Sequence, residues 1–262
     1  VGSEMCIRDR DYIVNNLIDY NDQKADVLNR IVDYGNKQLA ESEVRNRRMA
    51  IIAENELDKT LGKKAYNILT HCNTGFLACG SIGTALGVIQ NLGEKDKISN
   101  VWVDETRPYL QGARLTAYEL GKLGINHKVV VEGSASYLMA NGLVDAIFTG
   151  ADRVVNNGDT ANKIGTSNLA IIAKYYNIPF YIVAPISTFD LESKSGDSID
   201  IELRDEKEVH EVQGIQITPK NSKAFNPSFD ITKGELITGI ICENGMASGD
   251  YKVTLAQVQK SC

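Results

Sequence analysis

The sequence predicts an α/β protein, a Rossmann-like parallel sheet domain preceded by a helical segment. Beyond Leu61, short runs of β-branched and aliphatic residues alternate with stretches of helical spacing. That is the pattern of βαβ units whose strands are buried on both faces. Up to Leu61 the chain is polar, with apolar residues recurring at helical spacing. Polar and ionisable residues also cluster directly after the apolar runs, which in an open parallel sheet gathers them on the carboxyl edge.

The elements follow in order. Residues 1–10 (VGSEMCIRDR) share no periodicity with what comes next and read as a non-native-looking leader, so Cys6 carries no functional weight. Residues 11–61 form a helical N-terminal segment. Ile13, Leu17, Val27, Ile31, Leu39, Met49 and Ile52 mark two or three amphipathic helices, and Arg45, Arg47 and Arg48 lie on a solvated face. Residues 62–246 form the Rossmann-like domain. Strands are expected at 67–70, 101–104, 128–131, 145–149 and 180–184, and helices at 76–91, 110–123, 134–141 and 161–176. The charged stretch 192–213 is expected as a loop over the strand edge, 235–242 returns to helical spacing, and 247–262 reads as a tail.

Composition excludes several classes. Among 262 residues, 43% are hydrophobic and 24% charged, enough to bury a core, and a net charge of −6 argues against a nucleic-acid partner. Five cysteines lie at 6, 72, 79, 242 and 262 without a CxxC pair, and only 3 histidines occur. Neither a disulfide framework nor a structural zinc site is expected, and a reducing cytoplasm is the natural compartment. No apolar run reaches the about 18 residues of a membrane span. A GxGxxG motif is missing, so no dinucleotide cofactor is expected.

The chemistry converges on few residues. Cys72, in ILTHCNTG, follows a strand and precedes a helix, where a thiolate or anion is favoured, although a free cysteine there also serves as a small apolar filler. Asp152 follows another buried strand. It can act as an acid with a raised pKa or pair with Arg153 or Arg107. Asn162 and Lys163 are expected to open the next helix, with Thr166 and Ser167 as neighbouring donors, an arrangement that suits a phosphate monoester and also fits ordinary helix capping.

Together these segments resemble the family that contains methylthioribose-1-phosphate isomerase and the regulatory subunits of translation initiation factor 2B. The resemblance runs from about Ile51 to Gly245 and rests on ILTHCNTG, GTALGVI, VDETRPYLQGARLTAYEL, GADRV, NKIGTSNLAIIAKYYNIPFYIVAP, STFDL and FNPSFDITKGELITGII. The isomerase branch fits best, because regulatory subunits generally lack the thiol and acid pair; ribose-1,5-bisphosphate isomerases keep that pair but differ at ETRPYLQGARLT and NPSFDIT. The resemblance implies isomerisation of 5-methylthioribose 1-phosphate in methionine salvage without cofactor or metal. Asp152 would be the acid/base and Cys72 its partner at the reacting carbons, while Gln111, Asn162 and Lys163 would bind substrate. It also implies a homodimer, for which the apolar stretch from Leu236 to Ile241 is a candidate face, and no membrane. Family members carry an N-terminal RGAP-type turn and a further arginine that hold the phosphate; neither occurs here. The expectation is therefore an N-terminally truncated chain, nearly inactive by itself.

Overall fold

A computed structural model describes residues 3–19 and 22–260. Two helices come first, α1 (Ser3–Asn16) and the long α2 (Lys24–Thr60). The sheet domain then runs β1 (Tyr66–Thr70), α3 (Phe76–Cys79), α4 (Ala85–Glu94), β2 (Ile98–Asp104), α5 (Ala117–Lys122), β3 (His127–Val130), α6 (Ala135–Ala140) and β4 (Ala146–Thr149). There follow β5 (Arg153–Val155), β6 (Thr160–Lys163), α7 (Thr166–Tyr176), β7 (Phe180–Val183) and β8 (Phe189–Asp190). The chain continues through α8 (Lys207–His210), β9 (Glu211–Val212), β10 (Ile215–Gln216), β11 (Phe229–Thr232), β12 (Gly239–Cys242), β13 (Gly245–Ala247) and α9 (Tyr251–Lys260).

The main sheet has the order β13-β12-β7-β4-β1-β2-β3, parallel throughout except for the β12–β13 hairpin. Its construction follows from period-two burial. Ile68, Phe148 and Tyr181 enter a core shared with Met49, Ala53 and Leu57 of α2 and with α4, whereas their neighbours Leu69, Ile147 and Phe180 enter a second core under α6, α7 and α9. Strand order reverses between β1 and β4: the chain builds β2 and β3 on one side of β1, then β4, β7 and β12 on the other. The carboxyl ends of β1 and β4 therefore border the crevice where open parallel sheets bind ligands.

A smaller four-stranded sheet, β11-β6-β5-β8, stands beside this edge. It corrects the helix expected at 161–176, because Asn162 and Lys163 lie on strand β6, paired with Asp230 and Phe229 of β11. The helix starts only at Thr166, after Gly165 turns the chain at φ 103°. Other expectations change too. The helix expected at 76–91 breaks into α3 and α4, and 110–123 begins as a π-turn over Gly112–Thr116. Residues 239–242 form a buried strand rather than a helix, since Ile240 and Ile241 face opposite cores. The expected tail includes β13 and α9, whose Tyr251 and Leu255 are buried in the second core.

The carboxyl half of α2 packs on α4, and a polar cluster fixes it to the amino end of β2. Glu54 accepts hydrogen bonds from Lys95, from Lys97 Nζ (2.8 Å) and from Asn91 Nδ2 (2.9 Å), while Lys97 also donates to Asp58 (2.6 Å). Burial raises the Glu54 pKa, but the two ammonium groups and the amide outweigh it and hold the carboxyl at about 2. A carboxyl whose folded pKa lies below its unfolded value contributes stability in full above about 4.5, and this is lost as pH falls towards about 2. Glu54→Leu should destabilise the fold by about 1–3 kcal/mol at neutral pH, the low end for a buried group because Lys95 is half exposed. Urea unfolding checks this, and the difference from wild type should shrink towards pH 2; a difference constant with pH removes the ion cluster as its cause.

Candidate active site

Two turns leave the sheet at the reversal point, one after β1 and one after β4. The first carries Cys72 at φ 63°, a left-handed backbone that a non-glycine residue holds only under constraint. The constraint comes from two threonines distant in sequence. The Cys72 N–H donates to Thr106 Oγ1 (2.8 Å), and the Thr116 hydroxyl donates to the Cys72 carbonyl (2.6 Å). Thr106 in turn donates to the carbonyl of Asp104 (2.9 Å). Thr116 is presented by the π-turn, which approaches β2 so closely that a Cβ on Gly112 would stand 1.7 Å from the Asp104 carbonyl oxygen. Only glycine fits there.

Both helix starts at this edge are occupied from within. Glu119, almost fully buried, accepts the N–H of Phe76 (2.9 Å) at the start of α3 and the Asn73 amide (2.9 Å). Asp230 accepts the N–H of Gly165 (2.8 Å) and Ser167 (3.1 Å) at the start of α7. Carboxylates satisfy the free N–H groups and the positive helix ends without any ligand. Positive charge at the edge instead comes from Lys163, a buried residue whose Nζ donates to the Ser228 carbonyl (2.9 Å) and lies 4.6 Å from the Phe229 ring centroid.

The second turn carries Asp152, whose N–H donates to the Ala161 carbonyl (2.9 Å) and so joins it to β6, two residues before Lys163. Burial raises the Asp152 pKa, and the Lys163 ammonium offsets part of that rise. Burial likewise pushes the Cys72 thiol up to about 11, with the Asn73 N–H and Lys163 pulling down and the Asp152 charge pushing up. Cys72, Asp152 and Lys163 thus share one electrostatic environment. The other predicted residues are placed as follows. Gln111 begins the π-turn with its Oε1 buried and unpartnered among the described residues, and the Asn162 amide donates to Thr166 Oγ1 (2.9 Å) inside the β6–α7 turn. Arg153 pairs with Asp190 (3.5 Å), and the Arg107 guanidinium donates to the carbonyls of Pro108 and Val209.

Thr106, Thr116, Glu119 and His71 also build this site, and Cys79, an exposed residue of α3, adds a second thiol that feels the Asp152 charge. No short-range spacing connects them; only the adjacency of His71 to Cys72 was available in the sequence. A cavity of about 250 Å³ near the start of α7, lined by Glu132, Asn168 and Leu169 among others, borders the site at Gly165 but includes none of the five predicted residues. Among the described residues no group of His, Cys, Asp and Glu is arranged to hold a metal, and no helix is long and apolar enough to cross a membrane.

The thiol makes a direct prediction. Because the thiolate is the nucleophile, and the pKa of Cys72 rises from 9.0 to about 11, alkylation of Cys72 by iodoacetamide near pH 8 should run roughly a hundredfold slower in the folded chain than in denaturant. Lys163→Met should slow it further. Peptide-resolved mass spectrometry provides the rates, and an ordinary rate in the folded chain would contradict a raised pKa at this half-buried thiol.

Comparison with known proteins agrees with this architecture. Residues 7–249 match the initiation factor 2 subunit family. Methylthioribose-1-phosphate isomerase from Caldicellulosiruptor saccharolyticus is 51% identical over 205 residues, covering 78% of this chain and 60% of its own length. The enzyme of the same name from Natranaerobius thermophilus is 46% identical over 234 residues, covering 89% and 66%. The crystal structure of 5-methylthioribose 1-phosphate isomerase from Pyrococcus horikoshii OT3 superposes with a TM-score of 0.86 at 38% identity, covering 98% of this chain and 69% of that one. A structure described as translation initiation factor eIF-2B, subunit delta, from A. fulgidus gives 0.85 at 35% identity, with 97% and 71% covered. The chain spans 60% of the Caldicellulosiruptor saccharolyticus relative's length. With more than nine-tenths of its residues inside the matched region, the chain belongs to the initiation factor 2 subunit family.

Proposed function

We propose that the chain carries the catalytic edge of an isomerase that interconverts 5-methylthioribose 1-phosphate and 5-methylthioribulose 1-phosphate. The supporting observation is the pair of turns at the reversal point, one bearing the Cys72 thiol and the other the Asp152 carboxyl, with the Lys163 ammonium acting on both. The relatives' names and their identity of about one half over the matched region point the same way.

The substrate sets a specific problem. Its anomeric oxygen carries the phosphate, so the ring cannot open to a free aldehyde, and breaking the bond from C1 to the ring oxygen instead needs a proton on that oxygen. Asp152, with its pKa raised by burial, suits that donation and the later return of the proton. Cys72 remains a thiol at neutral pH and offers an S–H beside the carbons between which hydrogen moves. C1 gains hydrogen as C2 loses it, so oxidation and reduction balance within the sugar and no external acceptor is needed. Lys163 supplies positive charge for the phosphate or for oxygen charge that develops, while Gln111 and Asn162 hold hydroxyls. The same reading carries a homodimer and a cytoplasmic location.

The test compares 5-methylthioribose 1-phosphate with ribose 1,5-bisphosphate, using the chain and a form fused to the portion of the Caldicellulosiruptor saccharolyticus relative that it does not span. The fused form should prefer the methylthio sugar, and the chain by itself should be nearly inactive. Asp152→Asn should lower kcat by at least about a hundredfold without loss of fold, the scale for a positioned acid. Preference for the bisphosphate changes the substrate, sugar-phosphate binding without turnover by either form makes this a regulatory subunit, and near-normal turnover by Asp152→Asn removes the acid.

A further inference from the structure

Four segments of the site meet at His71, a side chain for which the chemistry above has no use. His71 is fully buried. Its Nε2 stands 2.9 Å from the carbonyl oxygen of Ile164, and its Nδ1 stands 3.1 Å from Asp104 Oδ2. The ring also supports Gly165, where an added Cβ would come within 2.8 Å of His71 Cε1. Asp230 holds the Gly165 N–H from β11. The Ile164–Gly165 turn that links Lys163 to α7 is therefore gripped from two sides. Since His71 directly precedes Cys72, its bond to Ile164 is a short link between the thiol turn and the lysine strand end.

Proton positions follow from what each partner can do. A carbonyl oxygen only accepts, so Nε2 must carry hydrogen. Nδ1 of a neutral ring is then an acceptor facing a carboxyl group, and the bond forms only if Asp104 donates. Asp104 is fully buried and its Oδ1 has no partner among the described residues. An ionised carboxylate would leave a charged oxygen dry, whereas a protonated one leaves a carbonyl oxygen dry, a far smaller penalty. The groups facing the pair divide. Burial, the largest cause, and Glu132 in the turn after β3 raise the Asp104 pKa and outweigh the lowering by His71, whereas Asp230 on β11 attracts positive charge on the ring. The assignment therefore rests on the dry Oδ1 and the Ile164 carbonyl.

We propose that His71 is a positioning residue: a neutral imidazole, protonated at Nε2 and held at Nδ1 by a protonated Asp104, that ties the Cys72 turn to the Lys163 strand end through the Ile164 carbonyl. Its kinetic consequence rests on the isomerase reading; its proton assignment does not.

Nitrogen-15 NMR of the folded chain tests the assignment. His71 should show a protonated Nε2 and a bare Nδ1 at neutral pH. An imidazolium signal, or hydrogen on Nδ1, overturns the proposal. Kinetics of the form that turns over test the positioning. Asp104→Asn keeps a donor towards Nδ1 and should stay within about threefold of wild-type kcat, whereas Asp104→Leu should lose about tenfold or more with a smaller change in KM. Equal damage in both variants, with fold intact by circular dichroism, overturns it as well. If Asp104→Leu does not fold, Asp104→Asn and the NMR signal still decide. If the unaltered site turns over no sugar phosphate, the isomerase reading fails while the nitrogen signals settle the proton assignment separately.

Discussion

The left-handed backbone at Cys72 is the constraint around which the strand edge is built. A residue with a Cβ does not hold φ 63° unless its surroundings overdetermine it, and here both of its peptide groups are bonded to hydroxyls. Those hydroxyls have requirements of their own. Thr106 must turn back on Asp104, and Thr116 must be delivered by a π-turn that only Gly112 allows to approach β2. The irregular helix start, the glycine and the two threonines are thus consequences of one strained residue, and the strain fixes where its sulfur points.

Occupation of both helix starts by internal carboxylates decides the electrostatics. Had the N–H groups of α3 and α7 been free, the edge would favour anions broadly and would pull a thiol towards its thiolate. With Glu119 and Asp230 bonded to them, burial dominates, keeping Cys72 a thiol and raising the Asp152 pKa, with Lys163 as the local counterweight. A poised proton donor requires this balance, and a general anion trap requires the opposite one.

The sequence showed the main sheet well and the site in part. Runs such as Ile68-Leu69, Ile147-Phe148 and Phe180-Tyr181 are apolar on both faces because both faces are covered, and such continuity survives reading without a partner strand. Strand β6 was missed because Thr160–Lys163 has no such signature; it is a strand because β5 and β11 pair with it, and its polar residues are buried through contacts made with segments distant in sequence. Strand β12 carries the two-faced run in Ile240-Ile241, but its four residues lie in a glycine-bounded stretch of helical spacing, and the few buried residues of α9 acquire meaning only against β13. Cys72 and Asp152 were legible because a strand end is a local feature. Thr106, Thr116 and Glu119 were not, since each acts on a backbone group more than thirty residues away.

The fold's stability and its chemistry are drawn from different ends of the same strands. At the amino end of β2, half-exposed lysines bond Glu54 and lower its pKa, which adds stability at neutral pH. At the carboxyl ends, Asp104 and Asp152 have raised pKa values, chiefly through burial, so the ionised form of each is disfavoured by the fold that encloses it. A parallel sheet separates these regimes geometrically, because every strand begins on one edge and finishes on the other. Buried carboxyls with raised pKa values can therefore be concentrated where the turns are strained, while the ion cluster that anchors α2 operates a full strand length away and remains in contact with water.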